Sequence, residues 1–234
     1  MIESEMFDLP APVHILTAAQ LASLREDLSD WFALPGVEDL TGEMFEAFFA
    51  AAAGGLRKPG RPNRPSADVV INGLNYSCKT VKIAGRAQHK LGRHHKFIEA
   101  RRQLPDGLSL RSDPNLIGNA LIEDYNRVCR ANSWDMIAHL LRFNDNQEFI
   151  IWMEDWRPLI ATNYRWENTG SARSGQLNLA ARDATGLPRL SWTSAGGQFY
   201  ISRLVPADAQ IFTIEHNKMS AAEWRQLMSQ RRIR

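Results

Sequence analysis

Apolar and polar positions keep a helical rhythm from residue 17 to about residue 53. Thr17-Ala18-Ala19-Gln20 reads as a capping box, and Leu21, Leu24, Leu28, Trp31 and Phe32 follow at helical spacing. Pro35-Gly36 stops that helix. Thr41 opens a second one that runs to about Ala53 before Gly54-Gly55, with Phe45, Phe48, Phe49 and Ala52 as its buried stripe. At about 100° per residue, Glu46 falls at the margin of the stripe and can look into a cleft. Glu43 falls nearly opposite and suits the helix dipole as a first-turn acid.

The rhythm then becomes alternation. Asp68-Val69-Val70-Ile71 and Leu74-Asn75-Tyr76-Ser77-Cys78-Lys79 flank Asn72-Gly73. Asn-Gly between β-branched runs is the strongest short hairpin signal, because both residues accept positive φ. A two-residue loop sets Asp68 opposite Ser77 and diagonal to Lys79, all on one face. Val69, Ile71, Leu74, Tyr76 and Cys78 fill the other face, which is apolar enough for core. A carboxylate and a lysine thus converge on one side of a ribbon whose back is buried.

Ser112-Asp113-Pro114 opens a third long helix with Ile117, Leu121, Tyr125 and Val128 as its stripe. Strands are predicted at Met136–Phe143, Glu148–Met153, Leu159–Trp166, Gln176–Ala181, Arg189–Thr193, Gln198–Arg203 and Gln210–Glu215. A capped helix over Ser220–Arg231 ends the chain. Helices crowd the first half and strands the second, so the fold class is α/β of the mixed α+β kind. The expected architecture is a central mixed β-sheet flanked by helices, with extra antiparallel strands in the C-terminal half. One domain is expected over 1–234, with a core at about 41–154 and a strand-rich part at 155–234.

Composition adds little to this picture. Hydrophobic content is 44%, charged content 23% and net charge +2, ordinary values for a globular protein. No apolar run is long enough for a membrane span, and the start, Met1-Ile2-Glu3-Ser4-Glu5, is acidic and unlike an export signal. A cytoplasmic protein is expected. Cys78 and Cys129 read as two reduced, buried residues rather than a disulfide.

Charge clustering adds more. Residues 56–65 read as an extended basic loop carrying Arg57, Lys58, Arg61 and Arg64. Residues 80–102 hold Lys82, Arg86, His89, Lys90, Arg93, His94, His95, Lys96, Arg101 and Arg102 against a single acid, Glu99. A run of this sign beside a carboxylate–lysine pair suits a phosphate backbone better than a solvated face. The three histidines lack the spacing of a zinc site. Candidate DNA contacts are therefore Arg61, Arg64, Lys82, Arg86, His89, Lys90, Arg93, His94 and Lys96.

The chemistry follows from the hairpin. Hydrolysis of a phosphodiester needs carboxylates to hold a hard cation such as Mg²⁺, and benefits from a fixed positive charge near the attacking water. Asp68 supplies one carboxylate, Lys79 the charge, and Glu46 approaches from the preceding helix. Ser77 stands where a second acid would be useful.

A glutamate-bearing helix, then Pro65-Ser66-Ala67-Asp68 on one strand and Ser77-Cys78-Lys79 on the next, resembles the PD-(D/E)xK nuclease superfamily. The closest pattern is that of type II restriction endonucleases with Ser-x-Lys in place of acid-x-Lys. Pro65 is not directly before Asp68, and Ser77 replaces the usual acid. The resemblance spans roughly residues 41–143 in element order and implies a restriction-endonuclease-like fold. It implies a Mg²⁺-dependent, sequence-specific double-stranded DNA endonuclease leaving 5′-phosphate and 3′-hydroxyl ends. In that analogy a glutamate from a following helix replaces the missing acid. Glu99, on a short helix after the basic loop, would hold metal together with Asp68, with Glu123 as the other candidate. Lys79 would orient the nucleophile, Glu46 and Ser77 would assist, and the enzyme would act as a homodimer alongside a cognate DNA methyltransferase. The alternatives are a structure-specific repair or recombination nuclease of the same superfamily, and a non-catalytic DNA-binding protein.

Overall fold

The computed structural model describes residues 13–58, 67–104, 106–143, 146–170, 177–220 and 222–226. In chain order its elements are β1 (Val13–His14), α1 (Ala18–Ala33), α2 (Gly42–Ala53), β2 (Leu56–Arg57), β3 (Val69–Ile71), β4 (Leu74–Ile83), β5 (His94–Arg101), α3 (Pro114–Ala131), β6 (Met136–Phe143), β7 (Glu148–Asp155), β8 (Arg165–Asn168), β9 (Asn178–Arg182), β10 (Pro188–Thr193), β11 (Gln198–Leu204) and β12 (Gln210–Thr213).

Two sheets result. The seven-stranded sheet runs β1-β7-β6-β4-β3-β2, and β12 pairs β7 further along the edge that β1 begins. It is mixed, because β4 and β6 are parallel while its other pairs are antiparallel. Parallel neighbours need a crossover, and here the connection carries β5 and α3. The second sheet is antiparallel, in the order β5-β11-β10-β9-β8.

Three apolar clusters hold these layers together. α1 and α2 lay Leu24, Leu28, Phe32, Phe45 and Phe49 against Val69, Tyr76, Cys78, Ala138 and Ile151 on one face of the mixed sheet. Burying each phenylalanine contributes about 1.5–3 kcal/mol. On the other face Leu141, Phe143, Ile150 and Trp152 meet Phe97 and Val205 of the second-sheet side. α3 packs Ile117, Leu121, Ile122 and Tyr125 against Trp166, Leu179, Trp192 and Phe199 on the inner face of the second sheet. Gly118 is needed there, because a Cβ would stand 2.2 Å from the Trp166 ring.

The hairpin forms at the expected register, Val69 opposite Tyr76 and Ile71 opposite Leu74. Asn72 and Gly73 both take positive φ, at 50° and 83°. Leu74 departs from expectation: it is 43% exposed at the hairpin tip, beyond the reach of α2.

Four further expectations are corrected. Leu56 and Arg57 are an edge strand paired with Val70 and Val69, not loop. Both are exposed, so no apolar alternation marks them. Residues 94–101 form β5, so Glu99 lies on a strand and not on a short helix. Phe97 and Glu99 are buried while Lys96 and Ile98 are exposed, which is strand alternation with a carboxylate in an inward place. Leu159–Trp166 is not one strand. The buried Asn126 amide accepts from the Leu159 N–H at 2.9 Å and donates to its carbonyl at 2.7 Å, filling the place of a partner strand. The chain then makes a short 3₁₀ turn before β8. On α3 the buried stripe includes Cys129 and Asn126, while Val128 is only half-buried. The final helix is described over 222–226, where Ser220 and Glu223 cap it reciprocally.

Candidate active site at the hairpin

β3 ends its ladder at Val69, and Asp68 uses its side chain where a longer strand would use backbone. The Asp68 backbone N–H donates to the Tyr76 carbonyl at 2.8 Å. Its carboxylate Oδ2 accepts the Cys78 backbone N–H at 2.7 Å and the Ser77 hydroxyl at 3.2 Å. Both hydrogen bonds to this carboxylate among the described residues end on Oδ2. Ser77 is wholly buried, so its hydroxyl needs this acceptor. Ser77 and Lys79 alternate onto one face of β4, and Tyr76 and Cys78 take the other, where α2 packs.

Glu46 reaches the hairpin from α2. Its side chain is 16% exposed against 81% for Glu43, so only one of these acids faces inward. Arg57 holds Glu46 at 3.3 Å. Burial, and then the nearby Asp68 charge, raise the Glu46 pKa against the opposing pull of Arg57. Burial followed by Asp68 and Glu46 also push the Cys78 thiol well up, so Cys78 stays a neutral thiol beside the two carboxylates. Cys78 and Cys129 are free and buried, and burial raises Cys129 to about 12.

Lys79 is half-buried, with Nζ 5.1 Å from the ring centroid of Trp134. Trp134 follows α3 and is itself buried, with its indole N–H lacking a partner among the described residues. Pattern reading missed this residue, because it is distant in sequence and one of many tryptophans.

Glu99 stands elsewhere. It is buried on β5 with Oε1 3.3 Å from the Arg203 guanidinium, and Oε2 has no hydrogen-bond partner among the described residues. Arg203 also pairs with Glu154 at 3.2 Å, and Glu154 with His139 at 3.0 Å. His139 is level with Lys79 across the parallel β4–β6 pair and stacks on Trp152. Burial alone would raise Glu154, but Arg203 and His139 bring it down to about 2. Glu99 thus stands at the head of a buried chain that runs through Arg203 and Glu154 to His139, the neighbour of Lys79 across the β4–β6 pair. Among the described residues no group of three or more His, Cys, Asp or Glu side chains is placed to hold a metal. Glu123 is exposed on α3.

The predicted DNA-contacting cations do not form one strip. Lys82 lies on the α-helical side of β4, near Asp39, which itself pairs with Arg142. Arg86, His89 and Lys90 belong to a 3₁₀ turn and its cap, and Arg93 precedes β5. Alternation then sends His94 and Lys96 outward, while the His95 ring is half-buried with its Nε2 unpartnered among the described residues. Arg61 and Arg64, like Pro65 and Ser66 of the motif, lie outside the described residues.

Compared with models of known families, with curated proteins and with solved structures, the chain matches none. No helix among the described residues is long and apolar enough to cross a membrane.

Proposed function

We propose that the chain is a Mg²⁺-dependent, sequence-specific double-stranded DNA endonuclease of the type II restriction kind, related to the PD-(D/E)xK superfamily. The observation that carries this reading is the place of Asp68, whose charge acts on Glu46 of α2 and whose carboxylate takes the Ser77 hydroxyl, with Lys79 next on the Ser77 face of β4. The run α2-β2-β3-β4-β5-α3-β6, with β4 and β6 parallel, supports the same reading, because it delivers those side chains in the order the motif requires.

The donor set suits Mg²⁺. Asp68 and Glu46 are hard oxygen donors near enough that one charge disfavours the other, a repulsion that a cation relieves. Mg²⁺ keeps several waters and binds through one or two protein carboxylates plus substrate phosphate, so a third protein ligand is not required. When bound, the ion would supply charge for the developing phosphorane and acidify a water. Asp68 and Glu46 would hold it, Ser77 fixes the Asp68 carboxylate, and Lys79 directs its charge toward the scissile phosphate. Arg203 holds Glu99, so this reading assigns the metal to Asp68 and Glu46.

The test is incubation of the purified chain with phage DNA and Mg²⁺, with the ends mapped. Discrete fragments with 5′-phosphate ends are expected, and Asp68→Ala or Lys79→Ala abolishes them while DNA binding persists. Intact DNA with the unaltered protein, or normal cutting by either variant, overturns the reading.

A further inference from the structure

The outer face of the second sheet is cationic and has no layer over it among the described residues. Strand alternation turns Trp166, Leu179, Ala181, Leu190, Trp192, Phe199 and Ile201 inward onto α3. The opposite positions therefore face out. Arg165 on β8 stands directly across from Arg182 on β9. Arg182 adjoins the β10 end at Pro188, and the next residue, Arg189, touches the His94 ring of β5 across the last residues of β11. This row of Arg165, Arg182, Arg189 and His94 crosses the sheet from edge to edge. Lys96 lies one step inward, 3.5 Å from the Ser191 hydroxyl, and Arg101 pairs with Gln198 at the far end of β5.

The compensating acids are few. Glu167 pairs with Arg182 at 2.8 Å and Asp183 with Arg189 at 2.6 Å. Lys96, Arg101 and Arg165 are exposed and make no ion pair among the described residues. Two arginines directly opposed on one sheet face lower stability unless an anion comes between them. The pKa of His94 is held down by burial and by Arg189, which shows how crowded the positive charge is.

We propose that this face binds double-stranded DNA through its phosphate backbone, as a surface distinct from the hairpin site. That the ligand is a polyanion follows from the charge of the face, and that it is DNA rests on the reading of the hairpin given above. At about 4.8 Å per strand, the cationic row is about 19 Å long, more than half of one duplex turn of about 34 Å. Ser191, Thr193, Gln198 and Ser202 between the cations can donate to phosphate or base edges. A single-stranded ligand is disfavoured, because such sheets stack bases on aromatic rings and here the tryptophans point inward, leaving Tyr200 as the aromatic of this face.

The test uses the full chain with Ca²⁺ in place of Mg²⁺, fluorescently labelled 30-base duplex and single-stranded oligonucleotides, and anisotropy across a salt series. The duplex is expected to bind more tightly than the single strand. The double variant Lys96→Ala, Arg165→Ala should weaken duplex binding at least tenfold. It should also lower the log–log salt slope by about two, because each phosphate that is no longer neutralised removes about 0.9. Both side chains are exposed, so folding is preserved and is verified by thermal melting. Unchanged affinity and slope in the double variant, or tighter binding of the single strand, overturns the inference. Failure of the nuclease reading looks different: duplex binding that depends on Lys96 and Arg165, but no cleavage when Mg²⁺ is supplied.

Discussion

The Asp68 carboxylate takes the Cys78 backbone N–H at 2.7 Å, and so ends the β3–β4 ladder with a side chain instead of a peptide carbonyl. The same oxygen receives the buried Ser77 hydroxyl. One residue thus has a structural duty and a proposed chemical one, and the two separate by substitution. Asp68→Asn keeps an acceptor oxygen, so it should cost under about 1 kcal/mol of stability yet abolish cleavage. Asp68→Ala leaves Ser77 and the Cys78 N–H without their acceptor and should cost about 1–3 kcal/mol. Urea unfolding beside a plasmid cleavage assay distinguishes these outcomes.

Trp134 sits against the Lys79 ammonium at 5.1 Å. A cation over an indole gains about 0.5–2 kcal/mol, which fixes where the charge stands. Trp134→Leu should therefore lower kcat by about 2- to 30-fold with KM for DNA nearly unchanged. Trp134→Phe should recover part of the loss. A rise in KM alongside the fall in kcat, with a lower melting temperature, would instead make Trp134 a packing residue only.

Arg203 joins Glu99 and Glu154 beneath the second sheet. Arg203→Ala would leave two buried carboxylates without their shared cation and should cost about 3–5 kcal/mol. Glu154 also sets an acid limit. Its folded pKa is about 2, below the usual carboxylate value, so the native state holds fewer protons than the unfolded chain between the two. Its contribution is complete above the unfolded pKa of about 4.5 and drains away as the pH falls toward 2. Denaturant titrations from pH 6 to 2 should show a steep loss that Glu154→Gln flattens.

Glu46 moves the other way. Its folded pKa is raised, so the native state binds more protons, and stability falls as pH rises above the unfolded value. Glu46→Gln should remove that decline in titrations from pH 4 to 7. Added Mg²⁺ should suppress it in the unaltered protein, because a bound cation restores the charged form.

Gly118 touches the Trp166 ring so closely that a methyl group would overlap it at 2.2 Å. Gly118→Ala should cost at least about 1–3 kcal/mol through overpacking, despite the better helix propensity of alanine. Chemical denaturation checks this directly.

Local signals carried much of the fold. Thr17 and Thr41 cap helices as read, Asn72-Gly73 makes the turn, and Met136–Phe143 is a strand with those bounds. Each depends on neighbours within a few residues, so periodicity and turn chemistry suffice. The register of the hairpin follows from its two-residue loop, and with it the pairing of Asp68 with Ser77. Glu99 shows where that reach ends. Its strand was hidden because a carboxylate occupied an inward position, and only Arg203, far along the chain, makes that burial tolerable.

What the amino-acid order determined here is the set of helices, the hairpin, and the side of each ribbon on which a residue stands. Tertiary packing decided which distant groups meet: Glu46 with Asp68, Trp134 with Lys79, Arg203 with Glu99, and the arginines that share the outer sheet face. Those meetings depend on how the two sheets and the helices packed on them stack, and no short-range pattern encodes an energy summed over groups so far apart in the chain.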